Sequence, residues 1–202
     1  MNRTLPTPWK PTKAQLLAAR NKRVPDLIAK NLIVLFAGIN PGLYTAAIGR
    51  HFGRPGNRFW TALYEGGFTP RLFSPFENSL LLSLKLGITN VVERATARAD
   101  ELTADELRAG GRRLEGKVRR CRPTVVAFVG IGSYRVVAGT KDASVGLQKI
   151  RFGGRHAWVL PNPSGLNAHY QPADLARLFR DLRLWATAQH GHRRKNRLIS
   201  QS

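Results

Sequence analysis

Few residues in this chain are equipped for chemistry, and they fall in three short polar elbows. "GINPGL" from Gly38 carries Asn40, "TNVVER" from Thr89 carries Glu93, and "LPNPSGL" from Leu160 carries Asn162 and Ser164. An amide donates and accepts hydrogen bonds but cannot take up a proton as a carboxylate can. Glu93 is the carboxylate of the set. It can serve as a general base, or as an ordinary ion-pair partner of Arg94 or Arg98. Each elbow alone is a common connector, because Pro-Gly and Pro-Ser turns join elements in many folds. Asn40 before Pro41 reads equally as a turn former.

What the sequence lacks narrows the chemistry. No Gly-Lys-Ser/Thr follows "GINPGL", so it is not a nucleoside-triphosphate loop. A Gly-x-Ser-x-Gly elbow and a Ser/His/Asp set are missing as well. With 12 acidic residues against 33 basic ones, a carboxylate cage for magnesium is hard to build. The single Cys121 excludes an intrachain disulfide, a Cys-ligated iron–sulfur cluster and a zinc finger. His190 and His192 offer two ligands in a basic terminal stretch, which is a poor metal site. No metal or cofactor is expected.

The elements that must position the elbows are legible from periodicity. Asn31–Ile39 is an apolar run of the kind buried on both faces of a sheet. Asn57 can cap a helix whose apolar residues Phe59, Trp60, Leu63 and Tyr64 precede Gly66-Gly67. Pro75–Leu86 predicts another helix and Ile88–Val92 a strand. Thr103 and Glu106 form a capping-box pattern opening a helix to about Arg120. On that helix Leu107, Gly110, Leu114 and Val118 face inward, and Arg112, Arg113, Lys117, Arg119 and Arg120 face solvent. Thr124–Val129 and Ala157–Leu160 read as strands, and Pro172–Ala188 as a closing helix. Such alternation implies an α/β fold, a three-layer α/β/α sandwich around a mostly parallel sheet. Ligands in such folds bind at the carboxyl ends of the strands, where all three elbows would meet.

Residues 1–25 read as a Pro-rich basic arm with one short helical patch (Ala14–Arg20) that packs loosely or touches phosphate, 26–189 as one domain, and 190–202 as a mobile basic tail. The formal net charge of +21 points to a polyanionic partner, nucleic acid before acidic membrane. A generally basic surface is the plain alternative. No apolar segment approaches the roughly 18 residues of a membrane helix, and the N-terminus lacks a signal-peptide apolar region. A soluble cytoplasmic, nucleoid-associated protein that does not engage membranes is expected.

Five stretches in order then resemble one family. "GINPGL", "HFGRPGNRFW" (51–60), "TNVVER", "ELRAGGRRL" (106–114) and "LPNPSGL" are similar to the mismatch-specific uracil/thymine DNA glycosylases of the uracil-DNA glycosylase superfamily. The resemblance spans about residues 31 to 185. Relatives with a water-activating Asp and a His in the first and last elbows differ, since Asn40 and Asn162 stand there.

The resemblance implies a uracil-DNA glycosylase-like fold and a monomer that binds double-stranded DNA bearing a mispaired or damaged pyrimidine. It would extrude that nucleotide and hydrolyse its N-glycosidic bond, initiating base excision repair. Asn40 would orient water toward C1′. Glu93 would act as base, stabilise sugar cation charge, or merely pair with an arginine. Phe52 would stack on the extruded base or anchor its loop. Backbone amides near Ile39 and Phe52 would meet the pyrimidine oxygens, and Thr45 would border its C5 face. Asn162 would bond the base or a flanking phosphate. Ser164, Gly165 and Leu166 would form the wedge that fills the vacated stack. Bacterial relatives often place an Arg two residues after the wedge Leu. Ala168 stands there, leaving His169 or Tyr170 as contacts for the opposite guanine. A non-catalytic nucleic-acid binder of the same fold also accounts for the charge. A hydrolase of free nucleosides accounts for the crevice and leaves the charge unused.

Overall fold

The computed structural model describes residues 10–165 and 169–199. Four parallel strands, β1 (Val34–Gly38), β2 (Leu86–Asn90), β3 (Val125–Val129) and β5 (His156–Leu160), form the body of a five-stranded sheet. A two-residue strand, β4 (Gly146–Leu147), runs antiparallel to β5 at one edge. The order is β2-β1-β3-β5-β4.

Helices cover both faces, as the continuous apolar strands require. Val34, Phe36, Val125, Ala127, Trp158 and Leu160 pack toward α3 (Phe59–Glu65) and α6 (Pro172–Ile199). The alternate residues Leu35, Ala37, Val126, Phe128 and Val159 pack toward α4 (Ala104–Cys121) and α5 (Ile131–Ala138). Successive strand side chains point to opposite faces, so each five-residue run feeds two cores. On the first face Phe36, Phe59 and Phe179 cluster, with Phe36 and Phe59 edge to face at 5.4 Å.

Local signals explain the helix ends. Thr103 Oγ1 accepts from Glu106 N while Glu106 Oε2 accepts from Thr103 N, closing the predicted capping box of α4. Asn57 Oδ1 accepts from Phe59 N at 2.9 Å, satisfying an early amide of α3. The Pro75–Leu82 stretch is a 3₁₀ rather than an α-helix. Its buried residues, Asn78 and Leu81, lie three apart, the spacing that a three-residue turn keeps on one face.

Three expectations are corrected. Residues 10–25 are not a loose arm. Thr12 caps α1 (Lys13–Leu17), and Ala19 and Val24 form a small core with Ala95 and with Ala46 of α2 (Leu43–Ile48). The C-terminal stretch is not a tail at its start, because α6 continues through Ile199 and His190 Nδ1 pairs with Thr124 Oγ1 at 2.9 Å. Lys117 is turned from solvent, its side chain 16% exposed, to meet Asp26 and Glu93. The outer parts of both terminal segments, 1–9 and 200–202, lie outside the described residues. Among the described residues, no helix is long and apolar enough to cross a membrane.

Candidate active site

The parallel register brings four strand ends level. Gly38 pairs with Asn90 on one side and Val129 on the other, and Val129 pairs with Leu160. The elbows after β1 and β5 therefore open on one crevice, joined by the last residue of β2. The crevice is a cavity of about 150 Å³ lined by Ile39, Asn40, Thr45, Phe52, Asn162 and Ser164 among others. That volume is below the roughly 300–1,000 Å³ of a drug-sized pocket, so it suits a single small ring. Six of the predicted site residues are thus brought together. Gly165 closes against the neighbouring loop, where a Cβ would lie 2.7 Å from Gly56 O. Leu166 and Ala168 lie outside the described residues.

Asn40 is held in one orientation. Its Nδ2 donates to Arg94 O at 3.1 Å and to Thr96 Oγ1 at 2.7 Å, and Thr96 Oγ1 in turn donates to Arg98 O. Carbonyl oxygens only accept, so the amide nitrogen must face Arg94 and Thr96. Both amide hydrogens are spent there, which leaves Oδ1 as the acceptor. The Arg94 backbone is itself anchored, since its guanidinium forks onto Glu106, with Nη2 to Oε2 at 3.0 Å. Arg94 holds the Glu106 carboxyl at about 2, with the Thr103 amide assisting. The capping residue of α4 thereby supports the elbow that supports Asn40.

Phe52 anchors its loop and borders the crevice. Its ring stacks on Phe59 at 3.9 Å between centroids and also lines the cavity. Its φ of 53° is a left-handed conformation that costs a bulky residue about 1–2 kcal/mol. Burial of the Phe59 contact offsets that strain.

Glu93 is the correction at this site. Val91 N and Val92 N continue the sheet pairing to Gly38 O and Ile39 O, which carries Glu93 past the crevice and onto the α4 side. Its carboxylate meets Lys117 Nζ at 2.8 Å and Arg23 Nη1 at 3.2 Å, not Arg94 or Arg98. The Lys117 hydrogen bond draws its pKa below the ordinary Glu value. It lines a separate cavity of about 360 Å³ with Arg23, Arg94, Glu106 and Arg113. Glu93 is thus paired with Lys117 and does not line the crevice that holds Asn40.

Asn90 and His51 were not singled out from the sequence, yet both line the crevice. His51 is 1% exposed, and its Nε2 lies 2.9 Å from Pro25 O. Only a protonated Nε2 can bond that carbonyl, so Nδ1 is the acceptor for Asn90 Nδ2 at 3.4 Å. Burial draws the His51 pKa below its usual value, against the opposing pull of the Pro25 bond. The pairing turns Asn90 Oδ1 toward Gly38, where it lies 2.6 Å from the position a Cβ would take. Glycine at 38 is what allows that amide to enter the crevice. The available signal was position: Asn90 ends a strand whose neighbours end on "GINPG". Asn162 Oδ1 accepts from Ser164 N at 3.0 Å, the side-chain turn that shapes its elbow.

These features define an α/β protein with its polar site at the carboxyl edge of a parallel sheet. The family model of the uracil DNA glycosylase superfamily matches residues 25–183, and the chain belongs to that superfamily. The fold is shared with a solution NMR structure from Methanosarcina acetivorans described as "a putative Uracil DNA glycosylase", at a TM-score of 0.54 and 18% identity over 81% of this chain and 98% of that one.

Proposed function

We propose that this protein is a monofunctional DNA glycosylase that extrudes uracil, and related mispaired or damaged pyrimidines, from mismatched duplex DNA and hydrolyses the N-glycosidic bond. The observation that carries the reading is the locked Asn40 amide: its Nδ2 is held by Arg94 O and Thr96 Oγ1, Oδ1 is left as its acceptor, and the residue lines a ring-sized crevice together with Phe52. Oδ1 accepts a hydrogen from water and so directs a lone pair of the water oxygen toward C1′. Because an amide does not take the proton, the C1′–N bond breaks ahead of water attack to give an oxocarbenium-like sugar and a base anion, and the water that then adds to C1′ loses its proton to that departing anion. Such chemistry is slow.

Phe52 supplies a π-face for the extruded ring. The Asn90 carbonyl, oriented by His51, meets the imide N–H that uracil and thymine share. Thr45, 7% exposed, borders the pocket where a C5 substituent would sit. Selectivity for mismatches follows in part from the substrate, since extrusion costs least where pairing is weak. The net charge of +21 supplies salt-sensitive affinity for the duplex.

The test is direct. The protein is incubated in EDTA with duplex DNA carrying one uracil opposite guanine and then treated with alkali. Strand cleavage that appears only after alkali supports the reading. No abasic site on any mispair refutes it in favour of a binding protein, and hydrolysis of free deoxyuridine alone points to a nucleoside hydrolase.

A further inference from the structure

Residues 25–27 run along the outer edge of β2 and reach both sides of the His51–Asn90 pair, although they do not line the crevice. Pro25 O receives His51 Nε2 at 2.9 Å. Asp26 Oδ1 accepts from Thr89 Oγ1 at 2.6 Å, and its Oδ2 meets Lys117 Nζ at 2.6 Å. Leu27 N donates to Ile88 O at 2.8 Å, and Ile88 N donates to Leu27 O at 2.9 Å. A Cβ at Gly87 would stand 2.6 Å from Leu27 O, so glycine there lets this strap lie against the strand. Asp26 therefore follows the residue that bonds His51, and it bonds the residue that precedes Asn90.

What the strap fixes is a tautomer. A neutral imidazole carries one proton, and the partner of one ring nitrogen settles whether the other donates or accepts. The Pro25 carbonyl demands the proton at Nε2. Nδ1 is then left to accept from Asn90 Nδ2 at 3.4 Å, which turns Asn90 Oδ1 to the Gly38 side. That carbonyl belongs to the peptide joining Pro25 to Asp26, whose orientation the Asp26 carboxylate and the Leu27 pairing hold. Without the carboxylate the peptide can rotate, and the imidazole proton is free to sit on Nδ1. His51 then donates to Asn90, the amide turns over, and Nδ2 rather than Oδ1 meets the base.

We infer that Asp26 is a positioning residue for base selection: through the Pro25 carbonyl and His51 it keeps an acceptor, and not a donor, facing the edge of the extruded pyrimidine. This inference rests on the glycosylase reading above. An acceptor there pairs with the imide N–H of uracil, whereas a donor would pair with the unprotonated N3 of cytosine. A donor set against a donor forfeits the preference for uracil.

Two measurements on the full chain decide it. The first is the proton–nitrogen correlation spectrum of the His51 ring, which reads its tautomer with no DNA present. Nε2–H alone is expected in the wild type, with a clear Nδ1–H population in Asp26→Ala. A ring that stays Nε2–H in Asp26→Ala overturns the inference. The second is single-turnover release of 5-fluorouracil and of 5-fluorocytosine, each placed opposite a tetrahydrofuran site. Neither base is then held by a partner, and both carry the same C5 substituent. Asp26→Ala should slow 5-fluorouracil release by about tenfold and leave 5-fluorocytosine release equal or faster. Asp26→Asn, which keeps an acceptor for Thr89, should return 5-fluorouracil release to within about threefold of wild type. A proportionate loss on both bases, as general loosening would give, overturns the inference. Should Asp26→Ala not fold, Thr89→Val removes the hydroxyl partner of the same carboxylate. It must shift both readouts in the same direction, and an unmoved tautomer there overturns the inference as well. A wild-type chain that releases neither base refutes the glycosylase reading and base selection with it. A wild-type chain that releases 5-fluorouracil, beside an Asp26→Ala ring still fixed at Nε2–H, overturns this inference alone.

Discussion

Asn40 Nδ2 donates to Thr96 Oγ1 at 2.7 Å, and that hydroxyl passes its own hydrogen to Arg98 O at 2.7 Å. The amide cannot flip without leaving two acceptors facing its oxygen. Asn40→Ala should therefore lower single-turnover uracil release by about 10²-fold or more. Thr96→Val keeps the volume but removes the link, and about a tenfold loss is expected. Release unchanged in both variants would remove Asn40 from the mechanism.

Glu93 gives the opposite expectation. Glu93→Gln should leave release within about threefold of wild type, since the carboxylate lies outside the crevice, but should cost about 1 kcal/mol in urea unfolding by weakening the Lys117 pair. A large loss of release with stability intact would restore Glu93 as a catalytic residue.

Gly38→Ala tests the Asn90 placement. The added Cβ would stand 2.6 Å from Asn90 Oδ1, and the amide must yield because β1 is paired on both sides. Release should fall at least about tenfold while the far-ultraviolet circular dichroism stays native. Wild-type release would mean that Asn90 does not read the base.

His51 sets an acid limit to stability. Burial draws its folded pKa below the usual value, so above roughly pH 6.5 neither the folded nor the unfolded state holds the proton and stability is complete. As pH falls below that point the unfolded chain takes up the proton and the folded one resists, and stability declines until the folded pKa is passed. Glu93 shifts downward too, so its contribution is present above the ordinary carboxylate range and is lost at lower pH. Urea unfolding between pH 5 and pH 7 should show a slope that His51→Gln abolishes. An identical slope in the variant would assign the effect elsewhere.

Much of this architecture was legible because it rests on local chemistry. The all-apolar β1 run, the Thr103–Glu106 capping box and the polar elbows each announce themselves within a few residues. Asn57 lies one residue ahead of the expected place: Arg58 is the N-cap of α3, and the Asn57 side chain accepts from Phe59 N instead. Glu93 and Asn90 did not separate in the same way. They lie three residues apart in one motif, and a one-residue change in where β2 ends would exchange which of them enters the crevice.

The sequence by itself determined the order along the chain of the four parallel strands and of the helices α3 to α6, the absence of a disulfide framework, the charge, and the two Asn-Pro elbows that belong together. Those properties follow from period, capping and composition, which are read along the chain. Only the tertiary structure decided that Asn40 faces Thr96, that Asn90 and His51 join the site while Glu93 turns to Lys117, and that residues 10–25 pack as part of the domain. The reason is that the three side-chain pairs are separated by 24 to 56 positions in sequence, and which residues meet is set by sheet register and side-chain burial rather than by neighbours in the chain.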